Sequence, residues 1–445
     1  MDERRLIELI DEKKYAEIKR ELSDMNEVDV AEILDPLDAH LTLLIFRMLP
    51  KDLAVEVFAH FSKEQQLGII NSITDRELEY IINELFFDDM IDLIEEMPAN
   101  IVKKILRSAK EDERKLINQF LKYPADSAGS IMTIEYVELK KAMTVKESLC
   151  HIKETGLNKE TVYTCYVTDS KRALEGFVSL RTLVTSDENM IIEDIMEDEV
   201  IHVNTHDDQE SVANVFRKYG FLALPVVDNE NRLTGIITVD DIMDIMEQEA
   251  TEDFQIMAAM SPSEEAYLET GVFTLARHRL PWLLVLMISA TFTGRIMGKF
   301  ENVLASIVVL STFIPMLMDT GGNAGSQSST LIIRGLATGE ISTKDWIKVL
   351  WRELAISFIV GVILAITNFV RLMVLEKIDI VIALTVSITL VVTVVSSKVV
   401  GGTLPLIAKK MNLDPAIMAG PLITTIVDAL SLIVYFGIAT ALLGL

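Results

Sequence analysis

Along residues 25–108 the apolar positions return every twelve residues. The first position of each unit reads Met25, Leu37, Leu49, Phe61, Ile73, Leu85, Met97 and is always apolar. The second reads Asn26, Asp38, Pro50, Ser62, Thr74, Phe86, Pro98, mostly residues that start a helix by capping it or by occupying its first turn. Ile33, Ile45, Val57, Ile69, Ile81, Leu93 and Ile105, with the residue after each, are apolar again. Each unit therefore predicts one short helix and a tight turn, burying a narrow stripe against its neighbours. Helices this short do not stand alone, so the pattern predicts a stack wound into a superhelix. No His, Cys or Ser constellation interrupts it, which favours a structural or regulatory scaffold over an enzyme.

A longer repeat follows, from about Met132 to Glu249. The run Tyr163–Val167 and the string Leu174-Glu175-Gly176-Phe177-Val178-Ser179 match Leu222–Val227 and Leu233-Thr234-Gly235-Ile236-Ile237-Thr238. An amphipathic helical stretch precedes each half, Val145–Glu154 and Gln209–Tyr219, so the region predicts two α/β units. This pattern resembles a tandem cystathionine β-synthase (CBS) domain pair, a regulatory module that often holds adenine nucleotides. The resemblance implies a Gly-apolar-apolar-Ser/Thr-x-x-Asp string with a hydroxyl near phosphate and a carboxylate on ribose. The second half keeps it from Gly235 to Asp241, with Thr238 as the hydroxyl, and Arg181 is a further candidate ligand for ATP. The first half carries Thr182 where the carboxylate belongs, and a purely mechanical role is the alternative.

From Asp240 onward the chain is an acidic helix, with Asp240, Asp241, Asp244, Glu247, Glu249, Glu252 and Asp253 threaded by Ile242, Met243, Ile245 and Met246. Like charges at helical spacings of three and four repel, which suggests a cation that relieves them; an ordinary solvated face is the other reading. Apolar stretches then occupy Leu280–Phe300, Val303–Met318, Leu354–Leu375, Ile378–Ala408 and Pro415–Leu445, giving five expected spans. Arg277, Arg279, Arg334, Lys344, Lys348, Arg352, Lys409 and Lys410 fall in loops on one side, against Arg295, Lys299, Arg371 and Lys377 on the other. The positive-inside rule then puts the N-terminus in the cytoplasm and, with five spans, the C-terminus outside.

Charge sharpens this division. Residues 1–280 hold 58 acidic and 30 basic side chains, whereas residues 281–445 hold 9 and 11. A field this negative argues against nucleic acid and anionic lipid surfaces as partners of the first part, and it concentrates cations. Cys150 and Cys165 support neither a disulfide framework nor a zinc site. The charged stretch Met1–Ile10 does not read as a signal peptide, so the acidic part is expected to stay in the cytoplasm.

Within the apolar region two features carry chemistry. Asp428 lies near the middle of the last stretch, preceded by Ala419, Gly420, Thr424 and Thr425, which permit close helix approach and offer oxygens. Across a twofold axis two such carboxylates would face a partly hydrated ion, an oxygen-only setting that suits Mg2+; a protonated, helix-bonded Asp is the alternative. The stretch Asp319-Thr320-Gly321-Gly322-Asn323-Ala324-Gly325-Ser326-Gln327-Ser328-Ser329 interrupts the second apolar run, and irregular backbone lining a cavity is expected there. Lys398, in the fourth stretch, is expected either to snorkel or to pair with a carboxylate.

Taken in order, the twelve-residue repeat, the CBS-like pair, Gly-Gly-Asn-x-Gly-Ser-Gln, Asp414-Pro415-Ala416 and Asp428 resemble the MgtE family of magnesium channels over essentially the whole chain. The resemblance implies a multidomain architecture: an all-α superhelical domain over 1–130, an α/β CBS pair over 131–240, an acidic connecting "plug" helix within 241–276, and an all-α membrane domain over 277–445. It implies a homodimer in the bacterial cytoplasmic membrane whose second and fifth spans form the pore, with Asp428 holding the hydrated permeating ion. It also implies cytosolic Mg2+ bridging Glu56, Asp88, Asp89 and Asp92, Asp208 and Glu210, the plug residues Asp241, Asp244, Glu249, Glu252 and Asp253, and Asp414 at the inner mouth. Two other readings stand beside it, an ion-coupled secondary transporter in which Asp428 and Lys398 exchange charge, and a non-conducting nucleotide sensor. No activated nucleophile, P-loop or acid–base pair argues for an enzyme.

Overall fold

The computed structural model describes residues 3–263, 267–268 and 270–444. The parts of the sequence expectations that touch residues 1–2, 264–266, 269 and 445 lie outside the described residues. The chain divides into two compact units, Met1–Met246 and Glu247–Leu445.

The first unit opens with ten short helices: α1 (Glu3–Asp11), α2 (Tyr15–Ser23), α3 (Glu27–Leu34), α4 (Ala39–Phe46), α5 (Lys51–Ala59), α6 (Lys63–Ser72), α7 (Asp75–Glu84), α8 (Phe87–Glu96), α9 (Ala99–Ser108) and α10 (Glu111–Phe120). From α3 to α10 each begins twelve residues after the last, so the repeat runs one unit beyond the seven legible in the sequence. The second position of every unit is the N-cap. Asp38 accepts hydrogen bonds from the backbone N–H groups of His40 and Leu41, and Thr74 forms a reciprocal box with Glu77. Capping fixes where each helix starts, and the apolar stripe fixes what it buries. Ile45, Val57, Ile70 and Ile82 are all but inaccessible, and alternate helices pack together, α3 on α5, α4 on α6, α5 on α7 and α7 on α9. That alternation builds the short helices into one continuous stack.

The CBS-like pair repeats one topology twice. In the first half β1 (Val137–Leu139), α11 (Val145–Thr155), β2 (Thr164–Thr168), β3 (Leu174–Ser179), α12 (Leu180–Thr185) and α13 (Ile192–Ile195) follow one another. The second half supplies β4 (Val203–Asn204), α14 (Gln209–Tyr219), β5 (Ala223–Val227), β6 (Leu233–Thr238) and α15 (Val239–Met257). Each sheet has a parallel first pairing and an antiparallel second one, and the register slips at equivalent places, Val167/Thr168 and Val226/Val227. Tyr136, Tyr166, Leu174, Ala223, Leu233 and Ile236 form one apolar cluster drawn from both halves.

The acidic helix α15 is shorter than the expected connecting stretch, ending at Met257, and the division between the two units falls inside it. Its start is anchored by Ile242 and Ile245 in the core of the first unit. In the second unit come α16 (Val272–Lys299), α17 (Glu301–Ser306), α18 (Ile314–Ala337), α19 (Trp346–Arg371), α20 (Ile380–Lys410) and α21 (Gly420–Leu443). Among the described residues, four helical segments are long and apolar enough to cross a membrane: Val272–Lys299, Thr343–Glu376, Ile380–Lys410 and Pro415–Leu443.

The second apolar run departs from expectation twice. Its first half breaks into α17 and a tight turn over Val308–Phe313, and the glycine-rich stretch is not irregular but lies inside the continuous helix α18. The physical reason is close packing. A Cβ at Gly321 would sit 2.9 Å from the Ser431 hydroxyl, one at Gly325 would sit 2.8 Å from Ile423, and one at Gly401 would collide with the Gly325 carbonyl. The glycines let α18, α20 and α21 approach backbone to backbone, a membrane-helix use of small residues that outweighs their poor helix propensity.

Ile81, 4 % exposed in α7, tests the stack. Ile81→Ala is expected to remove about 2–5 kcal/mol of local stability. Amide hydrogen exchange of the full chain should accelerate in α7 and in its packing neighbours α5 and α9, leaving α18–α21 unchanged.

Candidate ion sites

Two helix starts bring acids together in the first unit. Asp88 and Asp89 occupy the first turn of α8, and Asp240 and Asp241 the first turn of α15, where a carboxylate favours the helix dipole. Glu160, on the loop before β2, and Glu135, before β1, join them electrostatically. Burial is the largest influence on each of the strongly perturbed groups, and mutual repulsion adds to it. Asp88 is pushed up to about 9 by burial and then by Asp241, Asp89 and Glu160. Glu160 rises to about 7 by burial and by Asp240, Asp241 and Asp89. Asp241 rises to about 6, less because its carboxylate accepts a 2.7 Å hydrogen bond from the Thr238 hydroxyl. Asp89 is raised by burial against the opposing pull of His60. Without a counter-cation these carboxyls hold protons that ordinary carboxyls would have lost.

The other expected acids are spread over further elements. Glu56 is exposed on α5, its carboxyl raised by partial burial and by Glu27 and Asp52. Asp92 lies on the exposed side of α8, and Asp208 caps α14 by accepting from the backbone of Glu210 and Ser211. Asp244 is exposed on the part of α15 in the first unit, while Glu249, Glu252 and Asp253 follow in the second. Asp414 caps the turn before α21, accepting from Ala416 N at 2.8 Å. Among the described residues no group of three or more His, Cys, Asp or Glu converges closely enough to ligate a metal ion directly.

The CBS-like halves enclose a cleft of about 840 Å3, walled by Tyr163, Tyr166, Phe177, Tyr219 and Phe221 and rimmed by Arg181, Glu197 and Glu199. Of the four expected nucleotide ligands only Arg181 lines it. Gly235 packs against Thr133 and Met132, Thr238 is buried with its hydroxyl bonded to Asp241, and Asp241 faces the acid cluster. The string from Gly235 to Asp241 thus adjoins that cluster, and this cleft is lined without it.

In the second unit α18 and α21 run antiparallel in close contact, Gly321 meeting Val427 and Ser431 while Gly325 meets Ile423. Beside this seam Asp428 is half-buried, and Asp319 is near enough to act on it electrostatically. Asp319, Asn323 and Gln327, spaced one turn apart, are all exposed on α18. Ile256 and Met257, at the end of α15, pack on Ile333 of α18 and on Ala416 and Ala419 before α21. Lys398 does not snorkel. It is 5 % exposed and donates to the Ser328 hydroxyl, which donates in turn to Glu353.

Comparison with known proteins assigns these parts. The family model described as a divalent cation transporter matches residues 314–438, the MgtE intracellular N domain matches 25–126, and a CBS domain matches 192–248. "Magnesium transporter MgtE" of Thermus thermophilus is 34% identical over 444 residues, covering 98% of both chains. The protein of the same name from Bacillus subtilis is 32% identical over 437 residues, covering 98% of this chain and 96% of its own. The chain belongs to the MgtE family, a family of transporters and not of enzymes. Among solved structures, the soluble part of a magnesium transporter superposes with a TM-score of 0.52 at 28% identity, covering 56% of this chain and 98% of that one. The cytosolic domain of the Mg2+ channel MgtE in complex with ATP gives 0.51 at 34% identity, covering 54% and 98%.

Against this MgtE background the sequence pattern does not mark Glu135, Glu160 or Glu353. Glu160 sits in a loop with no periodic signal. Asp319, Asn323 and Gln327 fall in the glycine-rich stretch that the sequence singles out, and they form one stripe because α18 is an unbroken helix.

The acid cluster has a worked pH signature. Its native carboxyls bind protons more tightly than those of the unfolded chain, near 4, so their stabilising contribution is full below about pH 4 and is lost as pH rises through about 6, 7 and 9. In metal-free protein, hydrogen-exchange protection of α8 and the start of α15 should fall between pH 6 and 9, and Asp88→Asn should flatten that decline.

Proposed function

We propose that this chain is a magnesium channel of the bacterial cytoplasmic membrane, a homodimer gated shut by cytosolic Mg2+. The observation that carries the reading is the exposed stripe Asp319, Asn323, Gln327 on a membrane helix, lying beside half-buried Asp428. Carboxylate and carboxamide groups facing hydrocarbon are costly, so a stripe of them requires water or a second protein surface. A twofold axis along α18 and α21 supplies both, pairing two copies of Asp428 across a wet path. Oxygen ligands that do not crowd the ion suit Mg2+, which gives up its waters reluctantly and passes partly hydrated. In this reading α18 is the second of five spans and α21 the fifth; the polar stripe lowers the hydropathy of α18 without shortening it, 24 residues giving about 36 Å. The N-terminus is then cytoplasmic and the C-terminus outside.

The same ion fits the regulatory acids. Carboxylates that do not converge for direct ligation still bind a hydrated Mg2+ through its waters, and each cation relieves repulsion that burial has strengthened. Sites filled to ten times their dissociation constant contribute about 1.4 kcal/mol each, so a handful of them shifts a two-state gate decisively. Ile256 and Met257, packed at the inner end of α18, give α15 a direct hold on the pore helices. The coupled-transporter reading asked Lys398 to exchange with Asp428. Lys398 is instead held through Ser328 beside Glu353.

The cleft of the CBS pair fits an adenine nucleotide in part. Tyr163, Tyr219 and Phe221 offer faces for a base, and Arg181 one cation for phosphate, while Glu197 and Glu199 oppose a bare triphosphate. The relative solved with ATP supports this second ligand.

Purified protein in liposomes tests conduction. Asp428→Ala should reduce Mg2+ influx at least tenfold and Asp319→Asn should reduce it less, with dimer recovery unchanged; influx that depends on a sodium or proton gradient would instead support the coupled transporter. A second expectation concerns the sensor. Adding 10 mM Mg2+ at pH 7 to weakly buffered protein should release protons from Asp88 and Glu160, and Asp88→Asn should cut that release.

A further inference from the structure

Three helices of the second unit meet at a charged centre that the permeation path does not use. Glu353 on α19 is 7 % exposed and Lys398 on α20 is 5 % exposed, and between them lies Ser328 of α18, which is fully buried. The Ser328 hydroxyl donates to Glu353 Oε2 at 2.6 Å, and Lys398 Nζ donates to Ser328 Oγ at 3.4 Å. The surroundings are shaped for this contact. A Cβ at Gly402 would meet Glu353 Cγ at 2.9 Å, so the glycine one turn below Lys398 makes room for the carboxylate's stem. Glu353 lies about 10 Å along α19 from Trp346, and Lys398 about 18 Å from the end of α20 at Lys410. Both charges are therefore inside the apolar part of the unit, where an unpaired one is expensive and an ionisable residue is functional by default.

We infer that Glu353, Ser328 and Lys398 form a latch that sets the rotation of α18 and so aims its polar stripe. Ser328 follows Asp319 by nine residues, which at 100° per residue places it on the opposite face of the helix. One contact on the back of α18 thus fixes where Asp319, Asn323 and Gln327 point on the front. The adjacent Ser329 hydroxyl donates to the Met418 carbonyl at 2.6 Å, pinning the same turn of α18 to the segment that leads into α21. The latch also links the Lys398 charge through Ser328 to the Glu353 carboxylate behind the stripe, where a bare cation would oppose a divalent ion. These are positioning residues, and the inference rests on the magnesium-channel reading for what the stripe does.

The test uses the full chain in liposomes at matched dimer content. Glu353→Gln and Lys398→Met should each lower maximal Mg2+ influx about tenfold while the half-saturating Mg2+ stays within twofold, and the double variant, with no unpaired charge, should recover at least half the wild-type rate. Single variants that assemble and conduct like the wild type would overturn the latch, as would a fivefold rise in half-saturating Mg2+ at unchanged maximal rate, which would put these residues in the ion path. Where charge variants do not assemble, Ser328→Ala against Ser328→Thr decides: loss with Ala and retention with Thr supports the latch, and equal rates contradict it. Labelling of Asn323→Cys by a charged thiol reagent, with Cys150 and Cys165 replaced by Ser, reads the rotation even in a chain that conducts nothing. Ser328→Ala should change that labelling rate at least threefold and Ser328→Thr should not; an unchanged rate in both rejects the latch, whereas a changed rate in a non-conducting wild type rejects only the channel reading.

Discussion

Repulsion among carboxylates that burial has partly stripped of water is the constraint on which the first unit depends. Asp88 and Asp241 start their helices where a negative end is welcome, yet they face each other and Glu160 at a place where the charges reinforce. Two unit charges 4 Å apart at an effective dielectric constant of 20 interact by about 4 kcal/mol, comparable to a large share of a domain's net stability. A fold that keeps such an arrangement has to be completed by something positive. Protons do this at low pH, and in the proposed function a hydrated divalent cation does it at neutral pH while remaining exchangeable.

The second unit answers a different constraint with the opposite material. Its glycines remove side chains so that α18, α20 and α21 touch, and closeness lets one helix carry two polar faces at once. The back face is satisfied internally by Glu353 and Lys398 through Ser328. The front face, Asp319 to Gln327, is left open, and only a partner or a water-filled path can satisfy it in a membrane. The division between the two units falls inside α15, which has Ile242 and Ile245 in the core of the first unit and Ile256 and Met257 packed within the second.

The regular parts of this architecture were open to reading from sequence because they repeat. Caps at Asn26, Asp38, Ser62 and Thr74 and apolar residues eight positions after Met25, Leu37 and their counterparts state the same local rule each time, and the structure follows it to the residue. The twin sheets were legible for the same reason. What was not legible is what depends on long-range packing. A glycine-rich run such as that of α18 reads as a break until the neighbours that exploit it are known. Lys398 had no visible partner because Glu353 and Ser328 are 45 and 70 residues away. The string around Asp241 reads as a ribose site, whereas its proximity to Asp88 depends on the placement of α8.

The proposed gate is closure, by Mg2+ on the acidic side, of a path lined by Asp428. The most direct measurement is Mg2+ current through purified protein in a planar bilayer, with magnesium on the acidic side stepped from micromolar to about ten millimolar, a range that spans weak hydrated-ion sites. Unitary currents at low magnesium should shut steeply as it rises, with the steepness reduced by Asp88→Asn. Currents that persist unchanged at ten millimolar magnesium would contradict it.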